Sequence, residues 1–242
     1  MNVNGVSTQQ RVRQLLPGIK RAILKAEEGL TDRKPWQVHA ESSSYAMTQG
    51  PNHAVYHSSE GGSLLTTLDN LKLDPRLIFG DLGAGLGMAC FAAAGYFNDV
   101  VGFEVDERFH NAAEEIRISF GLDSILFLHQ DFTARTYSFK YLGVVYFYKP
   151  FFENFNLIMG ATLLRLSTGA IIISRGACDS SVFPSEYFRE LPESVKRASY
   201  LETLRIYEKT HDADPSLIKH LLSQAEQTSP DQAISSPDRP GK

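Results

Sequence analysis

Across 242 residues, 24 Lys or Arg and 28 Asp or Glu leave a formal net charge of −4, and at roughly 150 residues per domain this length allows one large core with additions. Hydrophobic residues at 43% and charged residues at 21% exclude wholesale disorder, and no apolar run reaches the roughly 18 to 20 residues of a membrane span. The charge balance is too even for a bulk nucleic-acid binder, and two cysteines, Cys90 and Cys178, are too few for a disulfide framework, so an intracellular setting, cytoplasmic or nuclear, is expected.

Residues 1–26 carry Arg11, Arg13, Lys20, Arg21 and Lys25 and no acid, a local charge of +5 that leaves −9 for the remainder. An acid-free, Arg-bearing start also admits a mitochondrial transit peptide; Pro17-Gly18, read as a helix interruption, and the scarcity of Ser weigh against it. Val12, Leu15, Ile19 and Ile23 recur at three- and four-residue steps, as on a helix docked to a core. Residues 1–74 are expected to form an N-terminal helical extension and lid. They contain a polar loop with Ser42-Ser43-Ser44, Gly50-Pro51-Asn52 and Gly61-Gly62, then a short helix over Ser63–Asn70.

Residues 75–210 alternate apolar runs with helical patterns. LIFGDL (Leu77–Leu82) reads as a buried strand, the glycines of 83–87 as a turn, and Leu86–Phe97 as a helix. VVGFEV (Val100–Val105) is a second strand, with a helix from Asp106 to about Phe120, and Ile125–Leu128 is a third. LGVVYFY (Leu142–Tyr148) is a fourth, followed by a helix across Phe155–Leu166, and GAIIISR (Gly169–Arg175) is a fifth. Strands at this spacing with helices between them predict right-handed crossovers and a Rossmann-like, mostly parallel α/β sheet with helices on both faces. TLRIYEK (Thr203–Lys209) alternates like a half-exposed closing antiparallel strand. Residues 211–242 are expected to hold a short helix (Ser216–Gln224) and a proline-rich disordered tail.

In an open parallel sheet, ligands bind outside the carboxyl ends of the strands, where the strand order reverses. The first such end reads Asp81-Leu82-Gly83-Ala84-Gly85-Leu86-Gly87. Alternate glycines permit a tight turn and close approach of a ligand. An acid stands 21 residues beyond Gly83, at Glu104, where a carboxylate suits the two hydroxyls of a ribose. Taken singly, Asp81 also reads as a turn residue or helix cap, and Glu104 as a solvated strand end. A dinucleotide motif G-x-G-x-x-G fails here, because its third glycine would fall on Met88. Asp81 also sets a negative charge where a pyrophosphate would sit. S-adenosylmethionine has no phosphate and carries a net positive charge, so an acid at this turn favours it. His129-Gln130-Asp131-Phe132 puts a carboxylate and a ring at the third strand end, suited to an adenine amine and its flat face; a capping Asp beside a core Phe is the bland alternative.

At these residues the chain resembles the class I S-adenosylmethionine-dependent methyltransferases. DLGAGLG, VVGFEVD and HQDF look like their first three motifs, over about Leu77 to Arg175. The resemblance implies that Asp81, Gly83 and Gly85 line the methionine end of S-adenosyl-L-methionine, Glu104 binds the ribose, and Asp131 with Phe132 serves the adenine. EGGSLL ahead of the glycine turn, with GFEVD, QDF and VVYFYKPF, looks most like the non-SET histone lysine methyltransferases of the disruptor-of-silencing type. That resemblance implies a protein lysine acceptor, with Tyr56 and Glu60 near the methionine moiety; similar strings also occur in small bacterial methyltransferases of unassigned acceptor. Since in-line transfer mostly needs alignment, Tyr56, Tyr148 and backbone carbonyls near Pro150 are expected to orient the acceptor, with Tyr56 and Tyr148 as the catalytic residues. Ser58 or Ser59 reads equally as a helix cap. Relatives that methylate amino groups usually carry Asn or Asp where this chain has Lys149, an ammonium that accepts no hydrogen bond. Tyr148, Phe151 and Phe152 therefore read either as an aromatic channel or as a plug of the core. A small-molecule methyltransferase and a non-catalytic binding protein are the alternatives. The expected partner is a methyl acceptor, with nucleic-acid contact through the basic N-terminus and no membrane. His39, His53 and His57 show no metal-ligand spacing.

Overall fold

The computed structural model of the protein describes residues 7–31, 62–133, 138–148, 153–176, 182–194 and 204–227. In chain order these form helix α1 (Thr8–Thr31), helix α2 (Gly62–Leu71), strand β1 (Ile78–Leu82), helix α3 (Met88–Ala93), strand β2 (Asp99–Glu104), helix α4 (Glu107–Phe120), strands β3 (Ile125–His129) and β4 (Leu142–Tyr148), helix α5 (Glu153–Leu163), strands β5 (Ile171–Arg175), β6 (Phe188–Glu190) and β7 (Leu204–Lys209), and helix α6 (Pro215–Gln227). The strands make one seven-stranded sheet in the order β3-β2-β1-β4-β5-β7-β6. Pairings from β3 through β5 are parallel, and β7 runs antiparallel to both β5 and β6. The order reverses between β1 and β4, the switch point beside which ligands bind in open α/β sheets.

Both sheet faces are covered, as the continuous apolar runs require. Phe79, Val100, Ile125, Val144 and Ile173 pack with Val12, Ile19 and Ile23 of α1, Leu64 and Leu68 of α2, and the alanine-rich α3. Leu82, Phe103, Leu142, Val145, Phe147 and Ile172 face the other way, against Met159 and Leu163 of α5 and Leu217, Ile218 and Leu221 of α6.

Three expectations are corrected here, and one further strand, β6, is added. Pro17-Gly18 does not interrupt the first helix: α1 is continuous with Pro17 inside it. Pro17 lies on the exposed side, where water can satisfy the carbonyl that loses its partner. Gly18 is a contact point, since a Cβ there would lie 3.1 Å from the Phe120 ring. Helix α3 is shorter than the run Leu86–Phe97, because the chain turns after Ala93 and buries Phe97 against Phe79, ring centroids 5.5 Å apart. Strand β6 has only three residues, too few to show alternation. Strand β7 is an interior strand and largely buried. Its Lys209, 1% exposed, donates from Nζ to the carbonyls of Leu164 (2.6 Å) and Leu166, satisfying groups left unpaired beyond α5.

Helix α1 is tied down by polar contacts as well as by its apolar stripe. Arg13 donates from Nε to the Gly95 carbonyl at 3.0 Å, lies 4.0 Å from the Tyr96 ring centroid and pairs with Asp69 of α2 at 3.6 Å. Tyr96 in turn donates its hydroxyl to the Leu65 carbonyl.

Candidate active site

The turn after β1 is built on three left-handed glycines, Gly83 (φ 87°), Gly85 (φ 54°) and Gly87 (φ 83°). L side chains rarely adopt this conformation, so the alternating glycines of the sequence are a backbone requirement. The amides of Gly83 and Ala84 both donate to the Phe103 carbonyl of β2, at 3.0 and 2.8 Å, which fastens the turn to the neighbouring strand. A Cβ on Gly83 would first meet the Phe132 ring at 4.0 Å, so the aromatic residue after β3 sits beside the turn.

Glu104 ends β2 and is 8% exposed, which excludes a solvated strand end. Its Oε2 accepts the Gly85 amide at 2.7 Å and its Oε1 the Asp106 amide at 2.8 Å. Burial raises its pKa, and these amide donors oppose the rise. Asp81 lies within β1, neither in the turn nor at a helix cap, and is 3% exposed. Its Oδ2 accepts from the Cys90 thiol of α3 at 3.6 Å. Burial pushes the Asp81 carboxyl up to about 7; the Cys90 hydrogen bond lowers it and the nearby Glu104 charge raises it.

These shifts have a definite consequence for stability. A carboxyl whose folded pKa exceeds its unfolded value holds a proton in the native state that the unfolded chain has lost, so stability falls as pH rises between the two. For Asp81 the window runs from its ordinary 3.8 to about 7, and Glu104 adds the same sign. The ligand-free protein is therefore expected to melt at a lower temperature at pH 7 than at pH 5. Asp81→Asn should flatten the trend. Thermal denaturation monitored by circular dichroism across that range checks it; a rise in melting temperature from pH 5 to 7 would contradict the buried-acid assignment.

The third strand end joins the same edge, where the Gln130 amide donates to the Glu104 carbonyl at 2.9 Å. Asp131 is exposed and accepts at Oδ1 from the Thr133 amide (2.8 Å) and hydroxyl (2.6 Å), a local turn. Phe132 is buried. Between the second and third strand ends, Val105 leaves 48% of its surface exposed, an apolar platform not singled out by the sequence pattern. His129 Nε2 lies 3.0 Å from the Val105 carbonyl and its ring stacks on His110.

Tyr148, at the carboxyl end of β4, is half-buried and pairs in register with Arg175 of β5. The guanidinium stands 4.8 Å from the Tyr148 ring centroid and also hydrogen-bonds the buried Tyr146 phenol. Burial raises the Tyr146 pKa, with the Arg175 charge opposing and the Asp81 charge adding to the rise. Cys90, Tyr146 and Arg175 belong to no motif in the sequence; the one signal for them is a charged residue closing the apolar run GAIIISR at the ligand edge. Tyr56, Ser58, Ser59, Glu60, Lys149, Pro150, Phe151, Phe152 and Cys178 lie outside the described residues, as do His39, His53, His57 and the tail 228–242.

The arrangement thus joins a cleft edge lined by glycine, two buried acids, an apolar platform and a tyrosine under a cation. No family model matches the chain, and no curated protein sequence matches it either. Solved structures do. An RNA methyltransferase from Salinibacter ruber, in complex with S-adenosyl-L-homocysteine, superposes with a TM-score of 0.53 at 19% identity, over 67% of this chain and 99% of that one. The PH0226 protein from Pyrococcus horikoshii OT3 gives 0.52 at 18% identity, over 69% and 98%. A Haemophilus influenzae protein provisionally named a methylase gives 0.52 at 19%, over 62% and 99%. At these identities the similarity establishes the fold.

Proposed function

We propose that this protein is an S-adenosylmethionine-dependent methyltransferase. The observation that carries the reading is the pair of buried acids, Asp81 and Glu104, set against a turn of left-handed glycines at the reversal point of the sheet. A buried Glu104 carboxylate with a second carboxyl beside it, able to ionise against a cation, suits a ligand of positive charge better than a pyrophosphate. Fold likeness to the RNA methyltransferase with S-adenosyl-L-homocysteine adds support.

On this reading Glu104 receives the ribose hydroxyls, with acceptor capacity beyond its two amide bonds. Asp131 meets the adenine amine, and Phe132 and Val105 flank the base. Asp81, Gly83 and Gly85 line the methionine end, with Glu60 as the expected addition from the preceding segment. When bound, S-adenosyl-L-methionine supplies an electrophilic methyl group for in-line displacement; the protein supplies alignment and exclusion of water. Tyr148 and Tyr56 orient the acceptor.

The acceptor is a finer matter. A protein lysine, which the sequence resemblance implies, is poorly served by the Arg175 guanidinium over Tyr148, since a cation there repels an incoming ammonium. A neutral or anionic acceptor suits this edge better. The exposed cations of α1, Arg11, Arg13, Lys20, Arg21 and Lys25, support nucleic-acid contact as part of the same reading.

A thermal-shift series tests the cofactor. S-adenosylmethionine and S-adenosylhomocysteine are expected to raise the melting temperature and NAD to leave it unchanged, because a ligand that binds the native state stabilises it by mass action. Stabilisation by NAD alone would overturn the proposal. Methyl transfer from labelled cofactor to total RNA, lysine peptides and a metabolite pool then ranks the acceptors.

A further inference from the structure

Asp81 and Glu104 stand on adjacent strands at one edge of the sheet, yet they are supported unequally. Glu104 receives two backbone amides at 2.7 and 2.8 Å. Asp81 receives the Cys90 thiol, a weak donor, at 3.6 Å, in a more deeply buried position. Two neighbouring carboxyls in a dry site do not both hold a full charge. The one with amide donors keeps the charge and the other keeps the proton. Among the described residues, the titratable and charged groups that act on Asp81 are Glu104 from β2 and Cys90 from α3, with Tyr146 from β4 interacting with it and Arg175 from β5 reaching it through Tyr146. Burial and the Glu104 charge hold the Asp81 carboxyl up at about 7, within reach of a ligand's charge.

The two ligands proposed for this cleft differ by one methyl group and one positive charge. Contacts to adenosine and to the zwitterionic amino-acid part are common to both, so a group that responds to the added sulfonium charge separates them. We infer, resting on the methyltransferase reading, that Asp81 is a specificity-determining residue that is neutral beneath an empty or product-filled turn and ionises when the sulfonium ligand enters. The carboxyl O–H bond breaks, its proton passes to solvent buffer, and the carboxylate left behind faces the cation. The site thereby prefers the methyl donor and releases the neutral product.

Titration calorimetry on the full chain, between pH 6 and pH 8 in buffers of different ionisation enthalpy, tests this with S-adenosylmethionine and S-adenosylhomocysteine as probes. Near pH 6, S-adenosylmethionine binding should release close to one proton, and its affinity should rise about tenfold per pH unit before levelling above about pH 7. S-adenosylhomocysteine should bind with little slope and little proton release. Asp81→Asn should abolish the slope for the sulfonium ligand, lower its affinity at pH 8 by about tenfold and spare the product. Cys90→Ala, which removes the donor to Asp81 seen among the described residues, should move the midpoint to higher pH with the fold kept. Equal slopes and equal proton release for the two ligands in the native protein would overturn the inference and leave the cofactor assignment standing. Absence of binding by both would remove the assignment and the inference together.

Discussion

Replacement of Gly87 by alanine should cost about 3 kcal/mol or more of folding stability, a large share of what a domain of this kind possesses. Two effects add. The residue sits at φ 83°, where a Cβ crowds its own backbone. That Cβ would also fall 2.4 Å from Cζ and 2.8 Å from Cε1 of Phe127, a ring already held edge-on against Phe91 in the core. Gly169 separates the two effects. It has φ 87° with nothing within 4 Å of a Cβ, so Gly169→Ala should carry only the backbone part, about 1 kcal/mol. Urea denaturation midpoints measure both variants. Adding Phe127→Leu to Gly87→Ala should recover part of the loss; a double variant no better than the single one would show that the ring is not the obstacle.

The second large effect is expected at Glu104. Glu104→Ala leaves the Gly85 and Asp106 amides without their acceptor and removes the proposed ribose ligand. Losing two charge-assisted hydrogen bonds to the ribose corresponds to about 3 kcal/mol, or about a hundredfold in S-adenosylmethionine affinity. Stability should drop by only about 1 to 2 kcal/mol, since the variant no longer has to bury a carboxyl whose pKa burial has already raised. Glu104→Gln keeps one acceptor and should fall between the two proteins. Calorimetric binding beside a thermal melt distinguishes lost contact from lost fold. Undiminished affinity in a folded Glu104→Ala protein would remove this residue from the site.

The legibility of the chain follows the range over which each signal acts. Strands β1 to β5 were readable because each is a short continuous apolar run, and their observed ends lie within two residues of those the sequence suggests. The glycine turn and its two acids were readable because left-handed backbone and buried charge both demand unusual residues at set positions. Partnerships between distant segments were not readable. That Cys90 meets Asp81 depends on how α3 settles on the sheet, and that Arg175 meets Tyr148 depends on β4–β5 register, which no local pattern encodes. Burial of Lys209 was hidden for the same reason: its partners are carbonyls more than 40 residues earlier in the chain. Pro17 does not break α1 because the tertiary contacts of Val12, Ile19 and Ile23, invisible to local propensity, outweigh one lost hydrogen bond.

Helix α1 has a practical bearing on anyone who handles this protein. Its stripe of Val12, Ile19 and Ile23 roofs Leu64, Leu68 and the alanines of α3, and Arg13 rivets that roof in place. A version trimmed to the sheet would strip the roof away and bare a greasy seam to water, inviting self-association in concentrated stocks. Shortened forms prepared for crystallisation should therefore retain residues 8–31.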